Sequence, residues 1–229
     1  IIKGFYGKEA SVSDRGPEWQ LSISSKLLFR FLEQLGVDRL LAHEKCVPRT
    51  LFAAPKEAVI GFLKGLFSSD GTVNYVEGKS SYVRLTSASL KLLKEVQLLL
   101  INLGIFSKIY ENRRPAVLSS FLYTNKAGEK KGYQAKAYHE LEISRQDVME
   151  FIKKVGFVGD RSSEKIKLLL EKDTRKRGYY KRERFDVVKS ISPSGKEQVY
   201  DLTEPITHSF VANGITIHNC GEQVLLPYE

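Results

Sequence analysis

An internal repeat constrains the fold of this chain more than any other feature of its sequence. The segment LSISSKLLFRFLEQLGV at 21–37 aligns without gaps with LEISRQDVMEFIKKVGF at 141–157, 120 residues further along. In both copies an alternating strand end leads into a serine typical of a helix N-cap, and an amphipathic helix follows that closes at a glycine. Any capped helix would explain the serine and the glycine, but not the matched apolar positions. The identical pairs are Leu21/Leu141, Ile23/Ile143, Ser24/Ser144, Phe31/Phe151 and Gly36/Gly156. Two copies of one strand-to-helix unit predict a pseudo-symmetric domain.

The residues between the copies predict an αββαββα order and an α+β fold class. The expected elements are a helix at 57–69, strands at 72–76 and 81–86, a helix from Ser87 to Leu103, and a hairpin at 106–112 and 133–143 around a Lys/Gly-rich loop at 125–132. The first copy holds only its last strand or two and its last helix. We therefore expect its other elements upstream of Ile1. Since the first residue is Ile and the one methionine is Met149, we expect an internal or C-terminal piece of a longer protein.

Composition limits the class of protein. With 229 residues, 42% hydrophobic and 28% charged, the chain is too apolar to be disordered. No apolar run approaches the roughly 20 residues of a membrane-spanning helix, and the N-terminus lacks a signal-peptide pattern, so a cytoplasmic location is expected. Cys46 and Cys220 lie far apart, without the spacing of a disulfide framework or a zinc site.

Charge points to a polyanionic partner. The net charge is +9, and a basic run at 172–184 (KDTRKRGYYKRER) is interrupted by two tyrosines. This run is equally well explained as a solvated linker or as a nucleic-acid contact. In the second interpretation the DNA-binding residues are Arg175, Lys176, Arg177, Lys181 and Arg182.

The helix at 57–69 carries Gly61 and Gly65 four residues apart, so a second helix could approach that face closely. Asp70 follows at its C-terminal end, where a negative charge opposes the helix dipole by about 0.3 to 1 kcal/mol unless a cation compensates. The placement favours a metal ligand, although Asp70-Gly71 taken alone is better explained as a helix stop and turn.

The segment GFLKGLFSSDGTV resembles the second dodecapeptide of LAGLIDADG homing endonucleases. The upstream KCVP and AAPKEAV and the downstream SLKLLKEVQLLLINLGIFSKI are similar to the flanking blocks of intein-borne members. The resemblance implies two dodecapeptide helices packed at a pseudo-dyad, with an acid from each binding divalent metal between two sheets that straddle duplex DNA. It implies that Asp70 is a catalytic acid and metal ligand, Lys45 the active-site lysine and Lys108 its pseudo-symmetric counterpart.

Phosphodiester hydrolysis of this kind requires Mg²⁺ or another divalent metal to activate water, with lysines offsetting the charge on the phosphate. One aspartate supplies half of such a site. On the repeat offset, its partner is expected roughly 50 residues before Ile1.

The segment VYDLTEPITHSFVANGITIHNC predicts a β-hairpin around an Asn-Gly turn. The whole segment closely resembles the C-terminal splicing blocks of inteins. Each histidine taken alone would be explained as structural, but the segment matches the blocks in length and order. The resemblance implies that Asp201 is the modulating acid and His208 the assisting histidine. It implies that His218 and Asn219 are the penultimate histidine and the terminal asparagine, and that Cys220 is the extein nucleophile.

The last residues, CGEQVLLPYE, are similar to the finger loop of adenosylcobalamin-dependent ribonucleotide reductases, which would make Cys220 and Glu222 host residues. No N-terminal splicing nucleophile and no T-x-x-H block precede the endonuclease region. Cis splicing by this chain alone is therefore not expected.

These patterns predict the C-terminal part of a bifunctional intein that splices itself and cleaves double-stranded DNA for homing. The expected domains are 1–44 (end of the first LAGLIDADG repeat), 45–171 (second repeat), 172–219 (basic linker and splicing strands) and 220–229 (extein). Expected partners are duplex DNA, the N-terminal intein and endonuclease portion, and the N-extein. Two alternatives are a freestanding LAGLIDADG nuclease or RNA maturase, and a DNA-binding remnant without cleavage.

Overall fold

The computed structural model describes residues 3–4, 7–14, 16, 19–75, 81–115, 117–124, 128, 130–144, 146–159, 163–172, 187–188, 190–196, 198, 202, 204–212 and 215–218. The chain divides into two units, Ile1–Asp173 and Thr174–Glu229, and each is described by itself. Within the described ranges, no helix has the length and apolar character needed to cross a membrane.

The first unit contains five α-helices and eight strands in its described part. The helices are α1 (Lys26–Gln34), α2 (Lys56–Asp70), α3 (Leu90–Asn102), α4 (Gln146–Lys154) and α5 (Ser163–Lys172), with a short 3₁₀ helix at Arg49–Ala53. The strands are β1 (Ser11–Asp14), β2 (Trp19–Ser22), β3 (Gly71–Asn74), β4 (Tyr82–Ser87), β5 (Lys108–Arg114), β6 (Val117–Thr124), β7 (Lys130–Ala135) and β8 (Tyr138–Ser144). From α2 to α4 the order is αββαββββα, which differs from the predicted αββαββα because the last hairpin is divided into four strands.

A four-stranded antiparallel sheet in the order β3-β4-β8-β5 forms the centre of this unit. Alternate residues of its strands are apolar and at most 2% exposed on one face, namely Val73, Val83, Leu85, Leu141 and Ile143. Helices α2, α3 and α4 contribute further buried side chains to the same core, among them Phe67, Leu93 and Phe151. Because strand side chains alternate, the opposite face of the sheet carries the polar residues.

The hairpin predicted at 106–112 and 133–143 is longer and segmented. Strands β5 and β8 pair in the central sheet, and the same two chain segments pair again as β6 and β7 in a separate two-stranded ribbon. Pro115 separates β5 from β6, and a proline removes a backbone donor from the ladder. The breaks between β5 and β6 and between β7 and β8 divide one long hairpin into a part within the central sheet and a separate two-stranded part.

Two expectations about helices are corrected. Helix α3 begins at Leu90 rather than Ser87, because Ser89 is the N-cap and accepts the Leu92 backbone N–H at 3.1 Å. Ser87 lies before the helix, and its Oγ accepts the Ser89 backbone N–H at 3.0 Å. Helix α5 was not predicted, because its sequence SEKIKLLLEK adjoins the basic run and lies beyond the last element of the expected αββαββα order.

The two copies of the repeat have matching local structure and different environments. Helices α1 and α4 occupy the same repeat positions, and Gly36 and Gly156 both adopt positive φ after them. Phe151 is 0% exposed and its ring centroid lies 4.7 Å from that of Phe67, whereas Phe31 is 43% exposed. Among the described residues, the first copy therefore has a strand and a helix like those of the second without an equivalent core over them.

Candidate functional site

Asp70 is the last residue of α2, and its side chain is exposed. The chain enters β3 at the next residue, Gly71, where a Cβ atom would lie 2.3 Å from the Phe67 carbonyl oxygen. Since real Cβ atoms do not approach backbone so closely, only glycine allows this direct passage from helix to strand. The Asp70 backbone is thereby held at a defined corner between α2 and the sheet.

Ser68 ties the last turn of α2 to another part of the unit. Its hydroxyl donates to the Lys64 carbonyl oxygen at 2.5 Å and accepts the Val158 backbone N–H at 2.7 Å. Ser69 bonds only within its own helix in the described contacts, to the Leu66 carbonyl oxygen at 3.0 Å. Ser68 thus fixes the end of α2 against the segment that follows α4.

The outer side of α2 is lined by small, exposed residues at helical spacing. They are Ala58, Gly61, Gly65 and Ser69. A Cβ atom built on Gly61 or Gly65 would meet no heavy atom within 4 Å. The described residues of this chain therefore leave this face of α2 uncovered.

Lys45 lies at the same end of the sheet as Asp70. Its carbonyl oxygen accepts the Ser89 hydroxyl at 2.6 Å, just beyond the C-terminal end of β4. Gly71 pairs with Leu85 near that same end of β4. The Lys45 side chain is exposed there.

Lys108 lies in the opposite edge strand. It pairs with Glu142 of β8, which pairs with Arg84 of β4, which pairs with Thr72 of β3. Three strand spacings place the Lys108 backbone about 14 Å from that of Thr72. Its ammonium group lies 4.8 Å from the Tyr110 ring centroid, a cation–π contact.

A divalent metal fits this corner as half of a site. In the described part of the chain no three or more His, Cys, Asp or Glu side chains group as metal ligands. An exposed single carboxylate suits Mg²⁺, which keeps several waters and uses one or two carboxylates together with substrate phosphates.

The polar face of the sheet is a candidate nucleic-acid interface that the sequence reasoning missed. By strand register it carries Thr72, Asn74, Tyr82, Arg84, Thr86, Lys108, Tyr110, Glu140, Glu142 and Ser144. The alternation in YVRLTS and YHELEIS was the signal that could have found it. The DNA-binding residues predicted from the sequence lie instead in the basic run at 172–184.

Glu140 is the centre of an ion-pair network on this face. Its side chain is only 6% exposed and its carboxylate lies 3.4 Å from Arg84 Nη1 and 3.6 Å from Arg113 Nε. The Arg113 guanidinium carbon lies 5.0 Å from the Tyr110 ring centroid, and that of Arg84 lies 5.9 Å from the Tyr82 centroid. Two arginines and a lysine are therefore held over aromatic rings on one surface.

A bulge brings Arg113 into this network. The β5–β8 register shifts between Tyr110 and Arg114, and Asn112 adopts a φ of +51°. The Asn112 backbone N–H donates to Nδ1 of His139 at 3.1 Å. Bulges re-aim side chains, which explains why the Arg113 guanidinium reaches Glu140.

The described part of the second unit contains the predicted C-terminal hairpin. Strands β9 (Ser209–Ala212) and β10 (Ile215–His218) pair antiparallel, with Ala212 opposite Ile215. The predicted Asn-Gly turn lies outside the described residues. Ser209 pairs with His218, and the His208 and His218 ring centroids lie 6.3 Å apart at an interplanar angle of 26°. The structure thus brings these two candidate histidines together.

Glu204 shapes the turn before His208. Its carboxylate accepts the backbone N–H groups of Ile206 and Thr207 at 3.1 and 2.5 Å and the Thr207 hydroxyl at 2.6 Å. These hydrogen bonds, above all the one from the Thr207 side chain, lower the Glu204 pKa below its ordinary value. His208 follows with a φ of +51°, which is unusual for a residue with a Cβ atom.

The remaining predicted residues fall outside the described ranges. They are Asp201, Asn219 and Cys220 of the splicing frame and Arg175, Lys176, Arg177, Lys181 and Arg182 of the basic run. Their roles stay predictions.

Residues 57–156 match the family described as a LAGLIDADG-like domain. The chain is 32% identical over 209 residues to the ribonucleoside-diphosphate reductase NrdEB subunit alpha of Bacillus subtilis (strain 168), covering 90% of this chain and 19% of that protein. It is 32% identical over 224 residues to a DNA polymerase of Thermococcus hydrothermalis, covering 96% and 12%. It is 28% identical over 264 residues to the replicative DNA helicase DnaB of Nostoc sp., covering 85% and 28%. The chain thus spans a minor part of each relative.

Among solved structures, the chain is similar to the homing endonuclease I-DmoI in complex with DNA and Mn. The TM-score is 0.44 and the sequence identity 18%, with 68% of this chain and 67% of that chain covered. The complex of I-DmoI with DNA and Ca gives a TM-score of 0.44 and 17% identity, over 70% of this chain and 67% of that one.

Proposed function

We propose that this chain is the C-terminal part of an intein that carries a LAGLIDADG homing endonuclease and cleaves double-stranded DNA with a divalent metal. One observation carries the endonuclease proposal: within the LAGLIDADG-like domain, Asp70 stands exposed at the end of a helix whose glycine face is open. A second helix packed on that face would place its own acid beside Asp70.

The chain's own residues would divide the work as follows. Asp70 would hold Mg²⁺, which lowers the pKa of a bound water and stabilises the leaving oxygen. Lys45, at the same end of the sheet, would offset charge on the phosphate. The polar face, with Arg84, Lys108 and Arg113, would contact the duplex backbone through charge-assisted hydrogen bonds.

The second acid of the site is proposed to come from the first repeat. The support is the contrast between the copies: Leu21 is 60% exposed where its counterpart Leu141 is 0% exposed, and Phe31 is exposed where Phe151 is buried. A segment that covers the first copy as α2 and α3 cover the second would bring the matching helix to Gly61 and Gly65.

The endonuclease proposal is tested with this chain combined with the polypeptide that carries the first repeat. Asp70→Asn should abolish Mg²⁺-dependent duplex cleavage on a gel while salt-sensitive duplex binding persists. Asp38→Asn, which changes another exposed acid of the same unit, is the matched control and should cleave as the parent does. Cleavage by this chain alone as efficient as by the combination would contradict the two-acid site.

Two observations support the splicing part of the proposal. Stretches 28 to 32% identical to this chain occur in a reductase, a polymerase and a helicase, three proteins with different activities. The His208 and His218 rings also lie together at the end of the C-terminal hairpin. Both observations are expected of a splicing element that is inserted into unrelated host proteins. The reductase relative and the residues CGEQVLLPYE together favour a ribonucleotide reductase as the host.

The C-terminal reaction is proposed at the bond between Asn219 and Cys220. The Asn219 side-chain amide nitrogen attacks its own carbonyl carbon and closes a succinimide, and the bond to the Cys220 nitrogen breaks. The leaving amine takes a proton, which His218 can supply while His208 assists, because an imidazole can both donate and accept a proton. Asp201 or a histidine would help Cys220 reach the thiolate form that attacks an upstream thioester.

Mass spectrometry tests the splicing proposal. Adding a complementary N-terminal splicing piece should release a peptide that begins with Cys220 and leave a succinimide on the other product. Asn219→Ala should abolish the release, His218→Ala should slow it, and Cys220→Ala should block ligation but spare cleavage. Release from Asn219→Ala at the parent rate would show that the intein interpretation is wrong.

A further inference from the structure

Glu140 has an unusual location for an acidic residue on a surface that we propose to contact DNA. A carboxylate near a phosphate backbone weakens binding by charge repulsion, so a DNA-facing surface gains nothing from it directly. Yet Glu140 lies in the middle of the polar face, with its side chain only 6% exposed. Acidic side chains are almost never buried unless they are paired.

The partners of Glu140 come from both neighbouring strands. Arg84 in β4 approaches one carboxylate oxygen at 3.4 Å, and Arg113 in β5 approaches the other at 3.6 Å. Both arginines keep exposed area, since the side chains of Arg84 and Arg113 are 28% and 57% exposed. The Glu140 side chain is thus more deeply buried than either arginine, and part of each arginine stays accessible from outside.

The backbone supports the same arrangement at some cost. The bulge at Asn112, with its φ of +51°, brings the Arg113 side chain toward the buried carboxylate. Arg84 Nε is buried with no hydrogen-bond partner among the described residues. A bulge and an unsatisfied donor both cost stability, and such features are typical of residues held for a function.

We infer that Glu140 is a positioning residue of the duplex-binding face, whose buried carboxylate holds the guanidinium groups of Arg84 and Arg113 in the directions in which they meet DNA phosphates. An arginine held in place before binding loses less rotamer freedom when the complex forms. This inference rests on the proposed duplex binding.

The direction in which one substitution changes the affinity for DNA distinguishes this role from simple charge repulsion. Binding of a labelled mixed-sequence DNA duplex is measured by fluorescence anisotropy over a series of salt concentrations. Glu140→Gln should weaken binding about tenfold, because two arginines lose their fixed directions. Glu33→Gln, the matched control, removes one negative charge from an exposed position of α1 outside this face and should bind the duplex as tightly as the parent or more tightly.

A double-mutant cycle tests whether Glu140 acts through the arginines. In an Arg84→Gln and Arg113→Gln background, Glu140→Gln should change the dissociation constant less than twofold, because the residues that it positions are gone. Thermal unfolding of each variant shows whether the fold persists. A loss of binding of the same size in both backgrounds would mean that Glu140 has only a structural role and would overturn the inference.

The outcomes also distinguish the two levels of the proposal. If the parent chain shows no salt-sensitive duplex binding, the proposed DNA interface is wrong and the role of Glu140 falls with it. If the parent binds and Glu140→Gln binds as tightly as Glu33→Gln, the interface stands and the positioning role alone is overturned.

Discussion

His208 has a backbone conformation that residues with a Cβ atom adopt at a cost of about 1 to 3 kcal/mol. Its φ of +51° follows directly after the turn closed by the Glu204 carboxylate. Three donors at 2.5 to 3.1 Å converge on that carboxylate from Ile206 and Thr207. The turn thus offsets the strain at His208 and keeps its ring beside that of His218.

Acid should release this turn. The Glu204 pKa is lowered from 4.5, first by the Thr207 hydroxyl and then by backbone N–H groups. A lowered pKa means that the ionised carboxylate stabilises the turn above pH 4.5, and that this stabilisation is lost as pH falls through the lower folded-state pKa. The Thr207 amide proton, followed by NMR, should shift with a midpoint below pH 4.5.

Two variants check this assignment. Glu204→Gln should remove the acid transition of the Thr207 amide and the nuclear Overhauser contacts between the His208 and His218 rings. Glu204→Asp, which can close a similar turn with a shorter side chain, should keep part of both. A midpoint at or above pH 4.5 in the parent would contradict the hydrogen-bonded carboxylate.

Local sequence patterns predicted the position of Asp70 but not the burial of Glu140. The helix pattern places Asp70 at a C-terminal end, where its carboxylate conflicts with the dipole, and its role as a metal ligand stays a prediction. The burial of Glu140 could not be predicted, because strand alternation assigns this residue to the polar side of β8. Its burial arises from Arg84 and Arg113 on other strands, and Arg113 arrives through a bulge that no local pattern indicates.

At the scale of elements, the helix-to-strand junction at the end of α2 depends on one glycine. Gly71→Ala should destabilise the fold by about 1 to 3 kcal/mol, because its Cβ would lie 2.3 Å from the Phe67 carbonyl oxygen. Gly65→Ala, on the open side of α2, should stabilise it by about 0.5 to 1 kcal/mol through helix propensity. Urea unfolding of both variants measures the difference. Equal destabilisation would show that the Gly65 face is covered in solution.

Element order was readable from the sequence because periodicity and caps carry it. The helix predicted at 57–69 is α2 at Lys56–Asp70, and the two strands predicted in the C-terminal segment are β9 and β10. The start of α3 was misplaced because Ser87 and Ser89 are both acceptable caps and only tertiary contact decides between them. The Ser89 hydroxyl also donates to the Lys45 carbonyl oxygen, which selects the later cap.

At the scale of the whole molecule, the two repeat copies are unequal in packing although they share sequence and local structure. Two apolar positions that are fully buried in the second copy have counterparts in the first that are exposed among the described residues. The pairs Leu21/Leu141 and Phe31/Phe151 show the contrast at 60% against 0% and at 43% against 0% exposure. Burial, and not the pattern itself, is what makes such a side chain stabilising.

The same substitution should therefore have unequal effects in the two copies. Phe151→Ala should cost about 3 to 5 kcal/mol, because it leaves a cavity against Phe67 and Phe157 in the core. Phe31→Ala should cost about 1 kcal/mol, because much of that ring is already in water in this chain. Chemical denaturation of the two variants measures the difference, and circular dichroism checks that each native state is retained. Equal costs would mean that the first copy has its own core cover in solution, and the proposed need for a further segment over α1 would then be wrong.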